Sequence, residues 1–413
     1  ILFTIFIIFV FRVGTHVTVP GINAESLKQL SDLPFLNMLN LVSGNAMNNF
    51  SIFSMGVSPY ITASIIVQLL QMDIYPKFVE WGKQGEVGRR KLNQATRYIT
   101  LVLAFVQSIG ITASFNTLSS ISLVKTPNVS TYLLIGTILT AGSIIVTWLG
   151  EQITDKGFGN GVSMIIFSGI IASIPKMFST IYEDFFVNVR SGELTRSYII
   201  VALLIVVGLA IVFFTTFVQQ AEYQIPIQYT KLVQGAPTSS YLPLKVNPAG
   251  VIPVIFASSI TTIPSTILPF FSKVTWLSHL QGLLSYNTPS GMITYAILII
   301  LFSFFYTFVQ VNPEKTAENL QKNGSYIPSV RPGRETEKYM SSLLKRLATI
   351  GAVFLAFISL APIAAQQFMH LTSSIALGGT SLLILISTGI EGMKQLEGYL
   401  LKRQYVGFMN LED

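Results

Sequence analysis

The chain has 413 residues, of which 51% are hydrophobic and 11% are charged, less than half of the charged share of about 25% in globular domains. The mean hydropathy of +0.59 extends over the whole length, so apolar surface must face lipid along most of the chain. This composition excludes an ordinary soluble enzyme. The absence of cysteine also excludes disulfides, thiolate metal sites and cysteine nucleophiles.

Ten apolar segments are predicted to form membrane helices. They are residues 1–13, 57–72, 98–115, 132–149, 161–174, 198–218, 249–270, 292–311, 347–365 and 373–390. The chain starts at Ile1 without an initiator methionine or a basic flank, so we expect the natural N-terminus to lie further upstream. A cleaved signal peptide explains the first segment less well, because no small-residue cleavage site follows it.

The lysine and arginine residues predict the orientation in the membrane. If both termini lie on one side, 19 of the 26 basic residues fall in connections on that side and seven fall on the other. Basic connections stay in the cytoplasm, so both termini are predicted to be cytoplasmic. An even number of helices agrees with this placement.

Three connections are longer than a simple helix hairpin needs. On the cytoplasmic side these are 219–246 and 312–346, and the second interleaves basic residues with Tyr326 and Ile327. That mixture indicates a docking surface, whereas a solvated linker is the plainer alternative. On the outer side, residues 35–53 are too apolar for a free loop and too short to span, which favours a re-entrant or cavity-filling segment.

A weak internal repeat relates the two halves of the chain. The sequence GVSPYITAS at 56–64 matches GVIPVIFAS at 250–258 in six of nine positions. The two segments are five helices apart, and because five is odd the halves are predicted to lie in opposite orientations around a central pathway. Chance similarity between apolar helices that contain glycine and proline is the alternative.

The sequence lacks the groups that drive transport. It contains no phosphate-binding loop, and no Asp or Glu lies within the ten segments, so neither ATP hydrolysis nor ion coupling is predicted. Arg12, near the end of the first segment, is predicted to snorkel toward the membrane surface. A passive conduit for a polymer, worked by a cytoplasmic partner, fits these absences.

Seven motifs in chain order resemble the SecY family, the central subunit of the bacterial protein-conducting channel. They are GVSPYITASII (56–66), GEQITDKGFGNG (150–161), PLKVN (243–247), GVIPVIFASS (250–259), NPEKTAENL (312–320), RPG (331–333) and GGTS (378–381). The matches run through nearly the whole chain. Together they are specific, although each motif alone would be weak.

The resemblance implies an all-α membrane protein of ten helices in two inverted five-helix halves around a central pore. The halves would be residues 1–175, including a plug at about 35–55, and residues 198–392. Residues 176–197 would be an external hinge loop, and 393–413 a cytoplasmic tail. By matched motif, the aliphatic ring at the waist of the pore falls on Val57, Ile61, Ile166, Ile170, Ile255 and Ile384.

Three further sites follow from the resemblance. The lateral gate would contain Ser64, Gln68, Ser258 and Ser259. The plug would contain Leu41, Val42, Ser43, Gly44, Asn45, Ala46, Met47, Asn48 and Asn49. Partner docking would use Lys231, Lys245, Arg331, Arg334 and Lys338. One departure is the stretch 230–240, which holds a single basic residue where the family has several, by natural variation or engineered shortening.

The resemblance also implies the cellular setting. The expected partners are SecE, SecG, the SecA ATPase, the ribosome, signal peptides, translocating polypeptides and the lipid bilayer of the bacterial plasma membrane. No cofactor, metal or enzymatic activity is expected, and no nucleic acid contact apart from ribosomal RNA. The alternatives are a secondary transporter built on inverted repeats, which would need a buried coupling charge, and a lipid or membrane-protein insertase, which would need no sealing plug.

Overall fold

Each of the ten apolar segments contains a helix in the computed structural model. The structure describes residues 1–23, 43–44, 46–71, 75–118, 123–125, 127–187, 194–229, 239–267, 288–369 and 379–409. The α-helices of these residues are α1 (Leu2–Gly14), α2 (Ser58–Leu70), α3 (Pro76–Lys83), α4 (Gly85–Leu118), α5 (Val129–Lys156), α6 (Gly161–Tyr182), α7 (Leu194–Gln220), α8 (Ile252–Ile267), α9 (Pro289–Gln310), α10 (Pro313–Lys322), α11 (Arg334–Met369) and α12 (Gly379–Met409). A short 3₁₀ helix covers Ala46–Asn49 and a π-helix covers Glu183–Val187.

Polar caps and prolines start several of these helices. The side chains of Asn160 and Thr288 accept hydrogen bonds from the backbone at the first turns of α6 and α9, and Asn312 does the same for α10. Such caps satisfy backbone N–H groups that have no partner within the helix. Pro59 lies in the first turn of α2, where its missing N–H has no cost.

Six helices of the described residues are long and apolar enough to cross a membrane, namely α4, α5, α6, α7, α9 and α11. The helices α1, α2 and α8 are apolar but shorter. Most of the apolar surface of α7 is exposed, as expected of a helix that faces lipid. The chain is therefore a multi-pass membrane protein.

The two sequence halves meet along two lines. On one side α8 packs against α2 and α4, and on the other α12 packs against α6. A single cluster of buried apolar side chains extends across both halves, with members from α1, α2, α5, α6, α8, α9, α11 and α12. This cluster, called the central cluster below, lies between the two lines of contact.

The connection 219–246 contains two strands, which the sequence analysis did not predict. Strands β1 (Glu222–Tyr229) and β2 (Ser239–Lys245) are antiparallel, and β3 (Ser325–Tyr326) pairs with the other edge of β1. The physical reason is the alternation of Ile225 and Ile227 along β1, which turns both side chains to one buried face.

The connection 312–346 is likewise structured and mostly helical, so the alternative of a solvated linker does not describe it. Helix α10 and the first turns of α11 occupy most of it. Their apolar residues pack on the sheet in a second cluster that contains Ile225, Leu244, Ile327, Met340 and Leu344. The strands, α10 and the start of α11 thus form one small subdomain at the basic face, called the cytoplasmic subdomain below.

The expected external loop 176–197 is also helical over its first part. Helix α6 continues through Pro175 to Tyr182, and the π-helix follows directly. Pro175 has no N–H, so the carbonyl of Ile171, four residues earlier, loses its regular helical donor. The hydroxyl of Ser179 donates to the carbonyl of Pro175 at 3.2 Å. The hinge role of residues 176–197 concerns motion between the halves and stays a prediction.

Candidate functional site

A cavity of about 350 Å³ opens between α2, α4, α5, α6, α8 and α9. Its mouth is polar, with Asn93, Arg97 and Glu151 among the lining residues, and its inner wall includes Ile61 and Ile166. By the predicted orientation the mouth faces the cytoplasm, because it lies at the end of α4 that follows the basic connection. The lining of the cavity thus combines polar side chains with aliphatic ones.

The six predicted ring residues all belong to, or pack against, the central cluster. Five of them are no more than 8% exposed: Val57, Ile61, Ile166, Ile170 and Ile384. Ile255 is partly buried and packs on the same cluster while it also lines the cavity. The structure thus brings together aliphatic side chains from the start of α2, from α6, α8 and α12, although they are far apart in sequence. Three of them, Ile61, Ile166 and Ile255, also line the cavity.

The four predicted gate residues lie on the two helices that form one seam between the halves. Ser64 and Gln68 are on α2 and line the cavity, and the Gln68 amide donates to the Ser64 hydroxyl at 3.2 Å. The hydroxyls of Ser258 and Ser259 on α8 each donate to the carbonyl of Ile255 at 2.8 Å. Each of these three hydrogen bonds stays within a single helix.

The Gln68 carbonyl oxygen is buried and has no hydrogen-bond partner among the described residues. A buried amide oxygen without a partner weakens the closed arrangement, because water would satisfy it. The three hydrogen bonds within α2 and α8 do not cross the seam, and both helices contribute buried apolar side chains to the central cluster.

Sequence reasoning missed an ion pair at the mouth of the cavity. Two nitrogens of the Arg97 guanidinium donate to the Glu151 carboxylate, at 3.0 Å and 2.6 Å. The pair joins α4 to α5, and Arg97 is largely exposed, so its contribution to stability is small. A signal was present: Arg97 precedes the third segment and Glu151 follows the fourth, and adjacent antiparallel helices bring these two ends together.

The predicted plug segment lies against α1, α5 and α6. Ser43 is 1% exposed, Gly44 has a φ of +67°, and Ala46 belongs to the central cluster. Met47 is buried in a neighbouring apolar cluster. Residues Leu41, Val42 and Asn45, which were also assigned to the plug, lie outside the described residues.

The expectation that Arg12 snorkels toward water is wrong. Its guanidinium donates from Nη1 to the carbonyl of Gly44 at 2.7 Å, so the side chain turns toward the plug segment. The buried carbonyl supplies a partner inside the protein, and the cation does not have to reach the membrane surface.

Four of the five predicted docking residues lie on the cytoplasmic subdomain, and Lys231 lies outside the described residues. Lys245 ends β2 opposite Glu222, Arg331 precedes α11, and Arg334 and Lys338 lie in its first turns. All four side chains are exposed. The subdomain thus presents a basic surface on a small apolar core.

A second contact that was not foreseen joins the two halves away from the seam. The backbone N–H of Gly159, between α5 and α6, donates to the Gln395 side chain of α12 at 2.7 Å. Its neighbour Phe158 donates its N–H to the Thr4 hydroxyl of α1 and packs beside Gly392. The glycine-rich motif at 157–161 signalled a tight backbone connection, but not its distant partner.

A cavity between the helices, aliphatic side chains in its lining and a segment packed on the same apolar cluster are features of a conduit through a membrane. The SecY family model matches residues 51–393. The chain is 71% identical to the protein translocase subunit SecY of Streptococcus sanguinis, over 100% of this chain and 96% of the relative.

Two solved structures share the fold. A SecY protein whose plug domain stabilises the closed state of its translocation channel matches with a TM-score of 0.65 at 16% identity, over 96% of this chain and 91% of that one. Sec61 in the canine ribosome–channel complex matches with a TM-score of 0.63 at 15% identity, over the same shares. The chain belongs to the SecY family, and it is a protein-translocation channel rather than an enzyme.

Proposed function

We propose that the chain passes unfolded secretory polypeptides through the ring of Val57, Ile61, Ile166, Ile170, Ile255 and Ile384. The observation that carries the proposal is the position of these side chains, packed together between the cavity and the plug segment. A narrow apolar constriction loses its water and so blocks ions. The same side chains offer an extended polypeptide no hydrogen-bonding site at which it would stall.

The seam between α2 and α8 is the lateral gate of this proposal. A signal peptide presents 7–15 apolar residues, and each leucine gains about 0.5 kcal/mol on entering lipid. Four such leucines contribute about 2 kcal/mol toward parting the seam. The hydrogen bonds of Gln68 with Ser64, and of Ser258 and Ser259 with Ile255, lie within single helices and are kept when the helices part. Membrane helices leave the channel by the same route.

Residues 41–49 form the plug in this proposal, and the region 176–197 is the hinge between halves 1–175 and 198–392. The burial of Ser43 and Ala46 beside the ring supports the first assignment. The contact of α12 with α6, opposite the seam, supports the second, because halves that open at one line must stay joined at the other.

The cytoplasmic subdomain docks the motor. The exposed cations Lys245, Arg331, Arg334 and Lys338 suit acidic or RNA surfaces, and we propose SecA and the ribosome as their partners. Sec61, which shares this fold, was solved in a ribosome–channel complex, which agrees with ribosome docking. SecE and SecG complete the assembly in the bacterial plasma membrane, with both termini cytoplasmic.

Reconstitution tests the proposal. The chain, SecE, SecG and SecA are placed in vesicles with ATP and a precursor that bears a signal sequence. We expect the precursor to become protected from added protease, while a precursor without the signal sequence stays digestible. A fully digestible precursor, in vesicles where SecA binds the chain, would contradict a translocation role.

A further inference from the structure

The end of α1 contacts the plug segment at two points. The Arg12 guanidinium donates to the carbonyl of Gly44 at 2.7 Å, and the Asn49 amide donates to the carbonyl of Thr15 at 3.4 Å. Gly44 and Asn49 lie near opposite ends of the described plug residues. The last turn of α1 and the residue that follows it therefore hold the plug segment near both of its described ends.

Gly44 sits where its carbonyl cannot find solvent easily. Its φ of +67° is a conformation that favours glycine, and a Cβ there would lie 3.0 Å from the Phe11 ring. The backbone of Gly169 on α6 closes the other side, since a Cβ on Gly169 would overlap Gly44. A backbone carbonyl in such a cradle requires a donor, and Arg12 supplies it.

Arg12 in turn depends on this carbonyl. Apart from Thr4, the other residues of α1 are apolar or glycine, and a cation in such a helix is expensive and is kept for a purpose. Among the described residues the Gly44 carbonyl is the only hydrogen-bond acceptor of the Arg12 side chain, and no carboxylate pairs with it. Within the described residues, the Arg12 guanidinium thus binds the plug segment alone.

We propose that Arg12 is a positioning residue that latches the plug in the closed channel. The inference rests on the proposed function, because it gives the plug segment a sealing role. A charged donor makes a stronger hydrogen bond than a neutral one, and the bond is broken when the plug leaves. The latch therefore favours the closed state without contributing to the ring or the gate.

Accessibility of the plug tests the latch. The chain has no cysteine, so Ser43→Cys introduces a single thiol at a site that is 1% exposed. The purified protein is placed in lipid nanodiscs, where both faces are open to a water-soluble maleimide. We expect Arg12→Gln to speed labelling of this thiol about tenfold, which corresponds to about 1.4 kcal/mol in the closed-to-open equilibrium.

Two further variants separate the latch from general damage. Arg12→Lys keeps the charge on a flexible stem with a different donor geometry, and it should label at an intermediate rate. Arg89→Gln makes the same change at an exposed arginine of α4 and should label like the parent. If Arg12→Gln does not fold, judged by its thermal unfolding in the nanodisc, the Arg12→Lys rate decides the question.

Parent-like labelling in the folded Arg12→Gln protein, or in Arg12→Lys where the glutamine variant does not fold, would overturn the latch. Ion conductance of a variant with a shortened ring, Ile61→Ala with Ile255→Ala, distinguishes this failure from a failure of the proposed function. If the ring variant conducts and the Arg12 variants neither conduct nor label, the channel stands and the latch is wrong. If the ring variant does not conduct ions either, the proposed function of the ring is wrong, independently of the latch.

Discussion

Shortening Ile61 and Ile255 together to alanine should make the resting channel leak ions. Ile61 belongs to the central cluster and Ile255 packs against it, and both side chains also line the cavity. Under the proposed function they stand between the cavity and the sealed part of the channel. Each substitution removes three carbon atoms from a tight constriction. At about 0.8 kcal/mol for each buried methylene, the transfer cost alone is about 2 kcal/mol a site.

The total cost of each substitution is about 2–5 kcal/mol, because the neighbours do not fully fill the space that is left. That space adjoins the existing cavity of about 350 Å³, and water can therefore enter it from the mouth. We expect measurable conductance across a planar bilayer in the absence of SecA and precursor. We also expect a lower unfolding temperature.

The matched control is Ile297→Ala on α9, where the side chain is 57% exposed. The same atoms are removed there, but from a lipid-facing surface, so stability should change by no more than about 0.5 kcal/mol and the seal should hold. An intact seal in the folded double variant would refute the reasoning. Equal leakage in the control would show that conductance reports general loosening and not the ring.

Three further predictions concern the gate, the docking surface and the contact between the halves. A short crosslinker should join the cysteines of the variant Ser64→Cys with Ser258→Cys. The crosslinked protein should neither secrete a precursor nor insert a membrane helix. Transport at parent rates after efficient crosslinking would exclude this seam as the lateral gate. Arg331→Glu should weaken SecA binding and ATP-driven transport while Arg89→Glu should not, as measured by affinity and by protease protection. Gln395→Ala removes the partner of a backbone N–H at 2.7 Å and should lower the free energy of unfolding, measured in denaturant, by about 0.5–1.5 kcal/mol. An unchanged value would show that water replaces this bond.

Much of the fold could be read from hydrophobic runs. Ten apolar segments predicted ten helices, since a chain in lipid must satisfy its backbone within each segment. The family, the fold and the channel function are confirmed by the family match and the relatives. The roles of individual residues in the ring, gate, plug and docking surface stay predictions.

What the sequence did not predict depends on contacts between distant residues. Strand β1 was missed because its alternation covers only Ile225 and Ile227, and its burial needs β3 and α11 from 100 residues later. The Gly159–Gln395 bond spans 236 residues and leaves no local pattern. The contact of Arg12 could not be predicted for the same reason. Its partner is the backbone carbonyl of Gly44, and every residue type has a backbone carbonyl.

The ring and the plug segment are mechanically connected through α6. Gly169, which packs on Gly44, directly precedes Ile170 of the proposed ring, and Ala46 and Ile170 both belong to the central cluster. A close-packed interior does not deform continuously, so a polypeptide that pushes Ile170 aside also shifts the helix backbone on which the plug rests. Under the proposed function, entry of cargo into the ring thus loosens the Gly44 cradle before cargo reaches the plug, while the hydrogen bonds from Arg12 to Gly44 and from Asn49 to Thr15 still hold the plug segment.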